Sequence, residues 1–231
     1  MEKTFKKHET LFCILLIVVY IVVNSYCIQN YGIADYRTSV ILTIMSILLI
    51  ILMFLLKRIE YYGLTKAKDP KKYLYFIPLV IIFSVNLWNG INTNHTKNEI
   101  VFHILTMINV GFLEEIIFRG FLFKMMAKDN LKTAIIVSSI TFGIGHIVNL
   151  LNGAEVFSTL MQICYAIAIG YLFVTIFYKS KSLIPCILAH IFINASSIFK
   201  VETNNMLYIV SIFLVISCLG YTFYINKTVK D

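Results

Sequence analysis

The sequence predicts an all-α, polytopic membrane protein of about eight transmembrane helices enclosing a buried polar cavity. Three observations carry that expectation. Hydrophobic residues make up 59% of the 231 positions and charged residues only 14%, whereas a soluble domain is roughly 45–50% apolar and about 25% charged. The apolar residues gather into runs near the ~20 residues that a helix needs to cross a bilayer. The basic residues fall in the gaps between runs, with a strong bias to every second gap. This pattern excludes a soluble enzyme, a disordered chain and a collagen-like or low-complexity fibre.

The eight runs span residues 11–28, 39–56, 74–90, 100–126, 133–151, 156–178, 182–199 and 206–225. The first follows Lys3, Lys6 and Lys7, as a signal peptide would. It is longer than a typical signal core and lacks a small-residue cleavage site, so it reads as a span. With the N-terminus inside, the inner segments hold sixteen basic residues: Lys3, Lys6, Lys7, Lys57, Arg58, Lys66, Lys68, Lys71, Lys72, Lys124, Lys128, Lys132, Lys179, Lys181, Lys227 and Lys230. The outer loops hold Arg37, Lys97 and Lys200 alone. That bias predicts a multi-pass protein of the cell membrane with both termini cytoplasmic. The net charge of +8 is then explained by orientation beside an anionic leaflet, and no nucleic-acid partner is expected. The longest gap, 57–73, contains Pro70 and reads as a solvated cytoplasmic loop. Neither a repeat nor a linker is visible, so residues 1–231 read as a single transmembrane domain with its functional core at about 100–199. Cys13, Cys27, Cys164, Cys186 and Cys218 show no paired spacing and read as packing residues.

Three charged residues lie well inside a run: Glu114, Glu115 and Arg119. Each costs roughly 2.5–3.5 kcal/mol at a helix centre unless it is compensated. Glu115 and Arg119 stand at i and i+4 and can pair on one helix face. Glu114 lies about 100° around the helix, so it is left to meet another partner or a trapped water. A purely structural ion cluster is the competing reading.

The histidines tip that balance. His8 and His95 fall in loops, and His103 reads as an interfacial polar residue. His146 and His190 lie inside runs. Counting ~1.5 Å per residue from the cytoplasmic ends, Glu114 lies about 18 Å deep, His146 about 20 Å, His190 about 12 Å and Asn194 about 18 Å. His190 and Asn194 share a face at i and i+4. A carboxylate, two imidazoles and an amide are thus expected in one layer, backed by the Glu115–Arg119 pair. Gly111, Gly120, Gly143, Gly145, Ala168, Gly170 and Ala189 favour close helix packing around it.

Such a layer supports hydrolysis of a carbonyl in two ways. Glu114, His146 and His190 could hold a catalytic Zn2+ with one open position. Alternatively, Glu114 and a histidine activate water directly, while the other histidine and Asn194 stabilise an oxyanion. Neither the zincin helix motif nor a nucleophile-elbow serine is present.

Glu114-Glu115-Ile-Ile-Phe118-Arg119-Gly120, Phe142-Gly-Ile-Gly-His146 and His190-Ile-Phe-Ile-Asn194 together resemble the three ordered motifs of the CPBP family. That family groups CAAX prenyl proteases of the Ras-converting type with bacteriocin-processing and self-immunity (Abi) proteins. The resemblance implies an eight-helix intramembrane endopeptidase, metallo- or glutamate-dependent. It implies that Glu114 and His146 activate the water, that His190 and Asn194 bind the oxyanion, and that Glu115 and Arg119 support them. The expected partners are the bilayer and a peptide or membrane-protein substrate. The alternative reading is a bacteriocin self-immunity or binding protein on the same scaffold. A proton-relay transporter is disfavoured by the missing inverted repeat.

Overall fold

The computed structural model describes residues 5, 7–67, 77–201 and 204–229. Pro70, Lys3, Lys6, Lys68, Lys71, Lys72 and Lys230, used above for loop and orientation, lie outside the described residues. Among the described residues the helices that follow the apolar runs are α1 (Glu9–Tyr31), α2 (Tyr36–Leu55), α3 (Ile77–Ser84), α4 (Lys97–Met126), α5 (Leu131–Gly145), α6 (Val156–Ser180), α7 (Ile184–Ser196) and α8 (Asn204–Thr228). No strand occurs among the described residues; a lone antiparallel bridge joins Ile91 and Lys200.

Six of these helices are long and apolar enough to cross a membrane: α1, α2, α4, α5 with its 3-10 extension, α6 and α8. Among the described residues, the third and seventh expected spans are not among these six. The third run yields α3 and a 3-10 turn at Val85–Leu87, after which the chain turns at Gly90 with φ of 104°. The seventh run gives the stretch Ile184–Phe199, which ends as Lys200 becomes extended. Its 16 residues reach about 24 Å at ~1.5 Å per residue, short of a ~30 Å hydrocarbon layer.

Local chemistry sets the helix starts. Asp35 accepts from the Arg37 amide ahead of α2, and Asn130 accepts from the Thr133 amide ahead of α5. Thr96 and Glu99 form a reciprocal capping box at the start of α4, which satisfies donors that would otherwise be stranded. Pro185 lies in the first turn of α7, where a missing N–H costs nothing.

Burial separates the inner helices from the outer ones. The apolar windows of α4 and α6 are 56% buried, against 22% for α1 and α8. Outer helices expose aliphatic side chains such as Leu15, Val22, Leu48 and Ile212, which suits contact with lipid. Two close approaches need glycine. A Cβ at Gly111 would meet Ile191 Cγ1 at 2.8 Å, so α4 and α7 touch there. A Cβ at Gly143 would meet Ile167 Cγ1 at 2.3 Å and its amide at 2.9 Å, so α5 and α6 touch there. Gly145, expected to serve the same purpose, faces nothing within 4 Å.

Both ends of α1 are tied down. At its start, buried Glu9 pairs with Arg58 at 3.5 Å and with Lys128, joining the regions that follow α2 and α4. At its other end Ser25 donates to Asn152 at 2.9 Å, and Gln29 donates to the Leu151 carbonyl at 3.0 Å. All five cysteines are free.

Candidate active site

The site is built on an irregularity in α4. Directly after the two glutamates, Ile116–Phe123 winds as a π-helix. Such segments are rare and occur frequently at functional sites. All eight of its residues are buried, so the backbone change is held by packing on every side.

Glu115 and Arg119 pair as their spacing predicts, Nη1 to Oε1 at 3.1 Å, with both side chains fully buried. The guanidinium lies 3.9 Å over the Phe142 ring. A cation on a desolvated aromatic face gains about 2 kcal/mol. The same Oε1 of Glu115 lies 2.9 Å from His190 Nδ1. One carboxylate thus anchors both Arg119 on α4 and His190 on α7.

That anchor fixes how His190 stands. With Glu115 accepting at Nδ1, the proton belongs on Nδ1, and Nε2 is presented 3.5 Å from Glu114 Oε2. His146 is held in the same sense. It begins the 3-10 turn after α5, and its Nδ1 lies 3.1 Å from the carbonyl of Phe142, one turn back. The carbonyl accepts, so Nδ1 donates and Nε2 carries the lone pair. Phe142 contacts three of these groups: Arg119, the His146 ring at 5.3 Å and the His190 ring at 5.7 Å, both edge-on.

Glu114 is oriented by a residue that the sequence did not single out. Tyr20, in the middle of α1 and 3% exposed, donates its hydroxyl to Glu114 Oε1 at 2.5 Å. The other oxygen, Oε2, is buried and accepts no hydrogen bond from any described residue. Tyr20, Asn24, Glu114, Phe118, His146 and Asn149 are among the walls of a cavity of about 50 Å³. That is room for a water molecule, which needs about 10–15 Å³ by the same kind of measure. It is too small for a peptide.

The predicted layer therefore assembles in part. Glu114 and His146 share the cavity wall, and His190 bridges the two glutamates. Asn194 is not on that wall, and its side chain makes no hydrogen bond to the described residues. Its main-chain carbonyl accepts from Ser197 Oγ at 2.7 Å and lies 3.3 Å from His103 Nε2. His103, expected at the membrane interface, is buried and ties α4 to the end of α7.

Residues 96–196 match the family described as Type II CAAX prenyl endopeptidase Rce1-like. This segment of the chain is similar to that family. The match runs from the cap of α4 to the end of α7 and contains all three motifs. That family is described as one of endopeptidases, and the matched segment includes helices long and apolar enough to cross a membrane. No curated protein and no solved structure matches the chain.

Both histidines have Nδ1 held by a carboxylate or carbonyl, the outer support that metal-binding histidines use. However, no three His, Cys, Asp or Glu side chains among the described residues converge closely enough to hold an ion. Glu114, His146 and His190 thus do not fit a metal centre in this arrangement.

Proposed function

We propose that the protein is an intramembrane endopeptidase that hydrolyses a peptide bond with water held against Glu114. The observation that carries this reading is the division of labour at Glu114. One oxygen is fixed by Tyr20, the other has no hydrogen-bond partner among the described residues, and Glu114 shares the wall of a water-sized cavity with His146.

The chemistry runs as follows. Glu114 Oε2, with His146 Nε2 as a second acceptor, takes a proton from the water. The hydroxide oxygen adds to the carbonyl carbon, and negative charge collects on the carbonyl oxygen. His190, held through Nδ1 by Glu115, turns Nε2 toward the site, and a proton on Nε2 meets that charge. The C–N bond then breaks, and the proton held by Glu114 passes to the leaving nitrogen. Glu115 and Arg119 touch no reacting atom. Their part is to hold His190 and to keep the buried charges balanced.

The lysine bias supports an orientation with both termini in the cytoplasm. The substrate of this reading is a peptide or membrane protein reached within the bilayer. The test compares the small secreted and membrane peptides of the host with wild-type protein and with Glu114→Ala at equal expression. The reading requires a precursor cleaved with wild type and left intact with the variant. Equal processing in both contradicts it.

A further inference from the structure

The bundle holds a second and much larger cavity. It measures about 540 Å³, roughly ten times the Glu114 cavity, and lies among α6, α7, α8 and the turn after α3. That is within the ~300–1,000 Å³ of typical ligand sites. Val85, Ile169, Val210 and Leu214 supply apolar wall, while Asn86, Ser158, Gln162, Tyr165 and Ser211 supply amide and hydroxyl groups.

Two features mark it as a built site. Ser211 is 3% exposed, yet its Oγ has no hydrogen-bond partner among the described residues. Buried helical hydroxyls normally bond back to the carbonyl four residues earlier, as Thr222 does to Cys218 on the same helix. Ser211 is on the wall of the cavity, and a buried hydroxyl without a partner is costly. In addition, Gln162 Oε1 accepts from Asn149 Nδ2 at 2.8 Å. Asn149 is on the wall of the Glu114 cavity and Gln162 on that of the larger one, so one side-chain pair stands between the two.

We propose that this cavity seats the substrate's peptide chain beside the bond to be cut. The inference rests on the hydrolytic reading of the Glu114 cavity and supplies what that cavity lacks, which is room. Uncharged amides and hydroxyls match backbone N–H and C=O groups, and the aliphatic wall matches apolar side chains. The charged lining residues, Glu155 and Lys200, are opposite in sign, so an anionic lipid headgroup finds no net attraction. Parting of Asn149 from Gln162 opens the way for a carbonyl to reach the water at Glu114.

The test uses full-length protein in proteoliposomes and a pool of fluorophore-labelled synthetic ten-residue peptides of apolar and uncharged polar sequence. Binding is read in the uncleaving Glu114→Gln background, and cleavage by mass spectrometry in the Glu114-bearing protein. Ser211→Phe and Val210→Trp each fill the cavity, and either suffices if it purifies monodisperse with unchanged helix content. Each is expected to weaken peptide binding at least tenfold and to lower kcat/KM through KM. Ser211→Ala leaves the space open and is expected to shift binding less than threefold. Unchanged binding in a folded filling variant overturns the proposal, as does a Glu114→Gln protein that binds no peptide. Binding lost on filling, with no cleavage by wild type, supports the peptide site and overturns the hydrolytic reading instead.

Discussion

Replacing Arg119 by Met leaves Glu115 in a layer with no water to solvate it. The pair is fully buried, with Nη1 to Oε1 at 3.1 Å. Breaking such a pair by removing one partner costs about 3–5 kcal/mol, and loss of the Phe142 contact adds up to about 2 kcal/mol. His190 remains 2.9 Å from Glu115 and takes over part of the compensation, which places the expected loss near 3 kcal/mol. At about 2–4 °C per kcal/mol for a chain of this size, Tm falls by roughly 6–12 °C. The assay is thermal unfolding of the detergent-solubilised protein, followed by circular dichroism. The companion is the double variant Arg119→Met, Glu115→Gln, which removes both charges. It is expected to recover a third or more of the lost Tm, because the main penalty of the single variant is an uncompensated carboxylate. A single variant as stable as wild type refutes the reasoning, and so does a double variant no more stable than the single one.

Four further outcomes are expected. Tyr20→Phe removes a hydrogen bond to a charged group worth about 1.5–3 kcal/mol of stability, so Tm falls by several degrees, and kcat falls because the Glu114 carboxylate loses the contact that orients it; unfolding curves and turnover check the two. Gly143→Ala forces α5 away from Ile167 and costs about 1–3 kcal/mol, whereas Gly145→Ala stays within about 0.5 kcal/mol; paired unfolding curves compare them. The Arg37 guanidinium and amide hold the Asp35 carboxyl below the usual carboxylate range. Its small contribution is therefore present above the unfolded carboxylate value of about 4 and is lost as pH falls through the lowered folded value. The Tm gap between wild type and Asp35→Asn should close on that acidic limb. Dialysis against a chelator is expected to leave hydrolysis unchanged. Activity lost to the chelator and restored by zinc would count against the water-only mechanism.

Charge placement made much of the site legible. Glu115 and Arg119 could be paired from spacing alone, because an i, i+4 ion pair needs only one helix. His146 could be placed beside Glu114 because a polar residue in an apolar run has few places to go. Tyr20 escaped notice because tyrosine is common in this chain and its body is apolar. The usable signal was its depth, mid-span instead of at the interface where tyrosines gather. Phe142 was visible only as a motif letter, and its contact with three polar groups depends on how α5 faces α4 and α7. The π-helical segment leaves no periodicity mark distinguishable from an ordinary helix in so apolar a run. The shortness of α7 was hidden for a related reason: hydropathy records which residues avoid water, and does not record where a helix stops. Asn194 shows the limit of depth counting, since axial position does not say which wall a side chain joins.

The central claim is that Glu114 delivers water to a peptide bond. It is tested most directly by incubating purified protein in proteoliposomes with a cleaved peptide in 18O-labelled water. Wild type should place one 18O atom in the new carboxyl terminus, and Glu114→Gln, folded to the same Tm, should give no product. Cleavage by Glu114→Gln at the wild-type rate, or product from wild type without 18O, would contradict the account.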